Sequence, residues 1–244
     1  YGTINGNVGI DAGGASLGDY ALNLGTINAE SVGMLAQDNG STLVNNGVIN
    51  TGPNGVGISC SLNTSGEPGC TGINSTGGVI NGFAGMTGDD GNDTFINQGV
   101  INANPNAYAF SGDVGADSLV NSGTINGSVS ETFNDFGFDT LVNTGRITGN
   151  ISLEGGNDSL ANSGRVGGGA FGGLGNDTLI NSLGGSLGGM DGGADNDRLS
   201  NSSLIAGVMV GGAGNDTVLN FGGGLANYLG GDAGNDSLYN GGAV

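Results

Sequence analysis

Gly172-Gly173-Leu174-Gly175-Asn176-Asp177-Thr178-Leu179-Ile180-Asn181 is answered by Gly192-Gly193-Ala194-Asp195-Asn196-Asp197-Arg198-Leu199-Ser200-Asn201, and then by Gly211-Gly212-Ala213-Gly214-Asn215-Asp216-Thr217-Val218-Leu219-Asn220. Each copy ends in Asp, a variable residue, an apolar residue, a variable residue and Asn. A fixed offset at a fixed period marks an internal repeat, and the period of a repeat decides the architecture before any local propensity does.

Working outward, the Asp/Asn pair recurs as Asp93/Asn97, Asp117/Asn121, Asp139/Asn143, Asp158/Asn162, Asp177/Asn181, Asp197/Asn201, Asp216/Asn220 and Asp236/Asn240, with Asp-to-Asp steps of 24, 22, 19, 19, 20, 19 and 20. The frame reaches back to Asp19/Asn23 and, with Ser for Asp, to Ser41/Asn45. Between Asn45 and Asp93 it blurs. The apolar slot holds Phe95, Leu119, Leu141, Leu160, Leu179, Leu199, Val218 and Leu238. A second apolar position follows (Ile101, Ile125, Ile147, Val166, Leu187, Ile205, Leu225), then a third (Val129, Ile151, Phe171, Met190, Val208, Leu229), before the Gly-rich loop returns.

Three short strands per repeat with Gly-rich corners describe one coil of an all-β, right-handed, single-stack parallel β-helix. One coil cannot bury its own apolar face, so stability comes from stacking. The chain accommodates about 11 coils, a rod of roughly 50 Å at strand spacing. The organisation expected is N-terminal coils over 1–50, irregular coils over 51–92, and regular coils with an acidic loop column over 93–244. In-register Asn side chains are expected to hydrogen-bond along the axis.

Composition excludes other classes. Of 244 residues 57 are Gly and only 3 Pro, against both a helical domain and the strict period of collagen. Three Lys+Arg against 22 Asp+Glu give −19, with no Lys, so nucleic acid and anionic membranes are not expected partners. No apolar run approaches the ~18 residues of a transmembrane helix. The chain shows no export signal of its own, which places any such signal outside this sequence. Cys60 and Cys70 lie close together in a loop, a local disulfide formed outside the cytoplasm or a free pair. That loop is also the one feature expected to carry partner recognition, the bland reading being a surface bulge.

The loop before each Asp resembles the calcium-binding nonapeptide of RTX proteins, G-G-x-G-x-D-x-U-x, matched fully by residues 172–180 and 211–219. Elsewhere Asp89, Asp113, Asp135, Glu154 and Asp232 take the second position and Asp195 the third Gly. The resemblance implies calcium held by Asp93, Asp117, Asp139, Asp158, Asp177, Asp197, Asp216 and Asp236, with those six loop acids as further oxygen ligands. Like charges ~4.8 Å apart repel by about 3.5 kcal/mol at an effective dielectric of 20, which calls for a counter-ion. The alternative is that each Asp accepts loop N–H bonds while splaying into water. RTX repeats come two per coil and these one, so at most one edge would bind metal.

The phrases Asn121-Ser122-Gly123-Thr124-Ile125-Asn126-Gly127 and Asn143-Thr144-Gly145-Arg146-Ile147-Thr148-Gly149 resemble the passenger region of autotransporter-type bacterial surface proteins. That resemblance implies an extracellular, non-catalytic structural or adhesive rod on the bacterial surface. Tyr1-Gly2-Thr3-Ile4-Asn5-Gly6 begins mid-coil and Gly242-Ala243-Val244 stops mid-coil, which points to a longer solenoid or to end-to-end association into a filament, alongside a host or surface ligand. A pectin-lyase-like enzyme acting on polysaccharide is disfavoured, because there is no His and Arg146, Arg165 and Arg198 do not share one slot. An ice-binding RTX-like module is disfavoured too: the third loop position carries no Thr.

Overall fold

In the computed structural model, residues 2–13, 18–61, 68–130 and 137–244 are described. They contain no helix. The chain divides into two compact units, Tyr1–Thr132 and Phe133–Val244, each a parallel β-solenoid, with about 10 turns in total. The cause is the repeat itself: short segments, most of two to six residues, alternating inward and outward and separated by corners too Gly-rich for a helix to continue through.

Three strand columns make up each unit. In the first unit the leading column runs through Tyr20–Asn23, Thr42–Asn45, Pro68–Asn74, Asn92–Asn97 and Ser118–Asn121, every neighbour parallel. In the second it runs through Thr140–Asn143, Ser159–Asn162, Thr178–Asn181, Arg198–Asn201, Thr217–Asn220 and Ser237–Asn240. Leu160, Leu179, Leu199 and Val218 pair directly one over the next, as the repeat predicts. The second column is built on Ile27, Ile49, Ile80, Ile101 and Ile125, and all five are inaccessible to solvent.

The leading column continues through the interval where the sequence blurs, with one register shift between Asn92 and Thr94. Asn74 pairs with Asn45 and Asn97, so Gly72 occupies the apolar slot and Cys70 the Asp slot. The side chain missing at Gly72 is replaced from the next coil: the Phe95 ring lies against Gly72 Cα, where a Cβ would fall 2.7 Å from Cδ1. Phe95 in turn meets Phe110 edge to face, centroids 5.0 Å apart.

Two inward assignments need correction in the third column and one in the second. Ala170 and Met209 point inward, whereas Phe171 and Val208 are exposed. Strand parity is set by the glycine two residues on, because Gly172 and Gly211 must face an aspartate carboxyl with no room for a Cβ; residues 170 and 209 then share that face. Likewise Ala226 is buried and Leu225 exposed, with Leu225 bridging the equally exposed Leu204.

Candidate functional site

Each coil carries two polar positions on its inner face. The first is the Asn that closes the leading strand. Asn143 is buried and donates through Nδ2 to Asn162 Oδ1 at 2.8 Å; the relay continues through Asn181, Asn201 and Asn220 to Asn240 at 2.8–2.9 Å. The first unit repeats this through Asn23, Asn45, Asn74, Asn97 and Asn121. The remaining amide hydrogen reaches a second-column carbonyl, as in Asn181 to Leu204 at 3.2 Å, which ties the corner shut. These amides are structural: within a dry core each one satisfies the next.

The second polar position is the Asp. Counting by two from Leu179 places Asp177 and Asn181 on its face, and the structure puts all three inside. Asp93, Asp117, Asp139, Asp158, Asp177, Asp197 and Asp216 are at most 2 % exposed, so the column lies in the interior and not along a solvated loop edge. The partner of each carboxylate comes from the preceding coil: Asp158 N–H donates to Asp177 Oδ1, Asp177 to Asp197 and Asp197 to Asp216, all at 2.8 Å, and Asp216 to Asp236 at 3.0 Å. Asp93 also accepts at Oδ2 from the Asp89 N–H at 3.2 Å. The Oδ2 atoms of Asp177, Asp197 and Asp216 are buried and have no hydrogen-bond partner. Burial drives the carboxyls of Asp93, Asp177 and Asp197 up to about 7, opposed by the N–H donors and reinforced by neighbouring acids.

The loop acids do not join that column. Asp113, Glu154, Asp195 and Asp232 sit at corners with φ of +62° to +76°, the left-handed region. Glu154 and Asp232 align with Gly173, Gly193 and Gly212; Asp195 takes the place that Gly175 and Gly214 hold in neighbouring coils. Asp195 and Asp232 are exposed, while Asp113 and Glu154 are half-buried and Glu154 accepts from the Ser152 hydroxyl at 2.7 Å. Asp89 is half-buried and shifted upward by burial. Asp135 lies outside the described residues.

Cys60 and Cys70 form a disulfide. Both are buried, and their sulfurs lie within 4.8 Å of an Asp93 carboxylate oxygen. With the sulfurs bonded to each other, this cluster is a crosslink between the third column and the leading one. Arg146 and Arg165 turn out to share a slot, pairing in register on the second column, while Arg198 stands between Thr178 and Thr217 on the leading column. The match is readable in the sequence, because each of the two stands three residues after the Asn of its coil, Asn143 and Asn162.

The chain matches no protein-family model, no curated protein and no solved structure. No helix among the described residues is long and apolar enough to cross a membrane.

Proposed function

We propose that this protein is an extracellular structural or adhesive β-solenoid, of the autotransporter-passenger kind, and not an enzyme. The observation that carries the reading is the register: coil after coil buries the same Asp, apolar residue and Asn, and the acids best placed for acid–base chemistry are sealed inside where no polymer reaches them. A disulfide agrees with an oxidising compartment. Coils of one register add to either side of a stack without new design, so the proposal includes self-association or continuation of the same solenoid.

Calcium is proposed as a stabiliser of the Asp177–Asp236 column. Its support is the three buried Oδ2 atoms without partners and a net charge of −19. Calcium takes six to eight oxygens, more than these carboxylates offer, so corner carbonyls would have to complete the shell.

Electron microscopy of the purified chain tests the reading: particles that lengthen with concentration are expected, and a single length at every concentration removes self-association. The same samples in a chelator should lose β circular dichroism, and indifference removes calcium. Cleavage products from polygalacturonate would overturn the non-enzymatic assignment.

A further inference from the structure

The corners between the second and third columns of the first unit carry a groove of about 410 Å³ that the structural reading does not use. It spans three successive coils, lined by Thr51 and Pro53 from one, Asn81 and Phe83 from the next, and Asn102 and Asn104 from the third. A volume in this range suits a small ligand or a short stretch of polymer.

Its chemistry is specific. In a chain of net charge −19 the described residues that line it include no ionisable group. Asn81 donates one amide hydrogen to Asn50 Oδ1 at 2.9 Å and accepts from Asn102 Nδ2 at 2.8 Å. A carboxamide has two hydrogens and two lone pairs, so each ladder amide keeps one donor and one acceptor position in reserve. Asn104 uses its Oδ1 to accept the Asn106 N–H at 2.9 Å, and no described residue accepts from its Nδ2. Thr51 also lines the groove, but its Oγ1 is buried away from solvent and out of a ligand's reach. Phe83 and Pro53 add apolar surface beside these polar groups.

We propose that this groove binds a neutral saccharide chain. Ring hydroxyls both donate and accept, which matches uncharged carboxamides that both donate and accept, while the apolar face of a sugar ring suits Phe83. An extended peptide fits worse. The corner backbone is already engaged, with Gly82 N–H on the Asn102 carbonyl at 3.1 Å, Ala103 N–H on Asn126 at 3.0 Å and Asn104 N–H on Phe83 at 3.1 Å, so there is no open strand edge to extend. The inference gives the adhesive reading a ligand class and rests on that reading for its use by the organism.

The full chain is titrated calorimetrically with maltohexaose, cellohexaose, N-acetylchitohexaose and, as an acidic comparison, hexagalacturonate. Saturable binding of at least one neutral hexasaccharide is expected, at least tenfold tighter than the acidic one. Phe83→Ala should weaken it at least tenfold. Asn104→Asp keeps the acceptor for Asn106 but loses the donor and adds charge; it should weaken binding at least fivefold with an unchanged circular dichroism spectrum. Absence of binding to every neutral oligomer overturns the proposal, as does binding that neither substitution alters, or saturable binding of an unrelated extended peptide in their place. Particle growth in the microscope is unaffected by any of these results, so the solenoid reading fails or survives separately.

Discussion

The backbone N–H of Cys70 donates to Asp93 Oδ1 at 2.6 Å, the same bond that Asp177 N–H makes to Asp197 one unit away. Cys70 is thus a member of the buried Asp column whose side chain has been exchanged for half of a crosslink. In this coil a covalent bond to Cys60 stands where the carboxylate is missing. Closing a loop of sequence separation 10 stabilises by about 2–3 kcal/mol in the chain-entropy account. Reduction under native conditions should lower the urea-unfolding free energy by that amount, and an unchanged midpoint would show the crosslink to be dispensable.

Gly192 and Gly189 belong to one strand and should respond oppositely to alanine. A Cβ at 192 would collide with Asp197 Oδ2 and meet the Gly211 carbonyl, while at 189 the nearest atom is the Val208 carbonyl at 3.5 Å. Gly192→Ala is expected to cost about 2–4 kcal/mol and Gly189→Ala less than about 0.5 kcal/mol. Chemical denaturation of the pair measures the difference, and equal effects would contradict the inward parity of this strand.

Asn181→Ala removes the ladder acceptor of Asn162 Nδ2, which keeps the Gly164 carbonyl at 3.2 Å, and the ladder donor to Asn201 Oδ1, which keeps the Ser203 N–H at 3.1 Å. Losing these two ladder bonds and the Asn181 bond to the Leu204 carbonyl, with no group fully orphaned, predicts a loss of about 1–3 kcal/mol. Hydrogen exchange should accelerate in the two flanking coils before it does elsewhere.

Asp195 is expected to be better as glycine. Its φ of +75° falls where Gly175 and Gly214 stand in neighbouring coils, and its charge raises the carboxyl values of Asp177 and Asp197. Asp195→Gly should stabilise by about 1 kcal/mol, read as a higher urea midpoint at pH 8. A lower midpoint would reveal that this carboxylate holds something the fold needs.

Acid should stabilise this protein. The carboxyls of Asp93, Asp177 and Asp197 titrate near 7 when folded against 3.8 ordinarily, so between those values the folded chain retains protons that the unfolded chain releases. Their contribution is fully present below pH 4 and is lost as pH rises through 7. The melting temperature at pH 5 should exceed that at pH 8 by at least about 5 °C. Added calcium should recover part of the loss at pH 8 under the calcium proposal, and no recovery would remove it.

Most of the fold is legible in the spacing because Asp, apolar residue and Asn recur at invariant offsets, and parallel in-register pairing is the arrangement that stacks them. The coil containing Cys70 and Gly72 is hidden because both of its diagnostic residues are replaced, and the compensating Phe95 lies in the next repeat. The setting of the aspartates is misjudged from loop resemblance, although strand alternation from Leu179 already points Asp177 inward. The saccharide groove has no sequence signature, since Thr51, Phe83 and Asn104 meet only through the stacking of three coils.

The two asparagine rows of the first unit run in opposite senses. Inside, each earlier coil donates to the later one, as Asn74 does to Asn97; on the second column each later coil donates to the earlier one, as Asn102 does to Asn81. Their amide dipoles therefore oppose, and no net field builds up from the two rows together. A winding added upside down would face acceptor with acceptor and donor with donor in both rows, so this protein's coils carry a heading, and any assembly that continues them must travel one way.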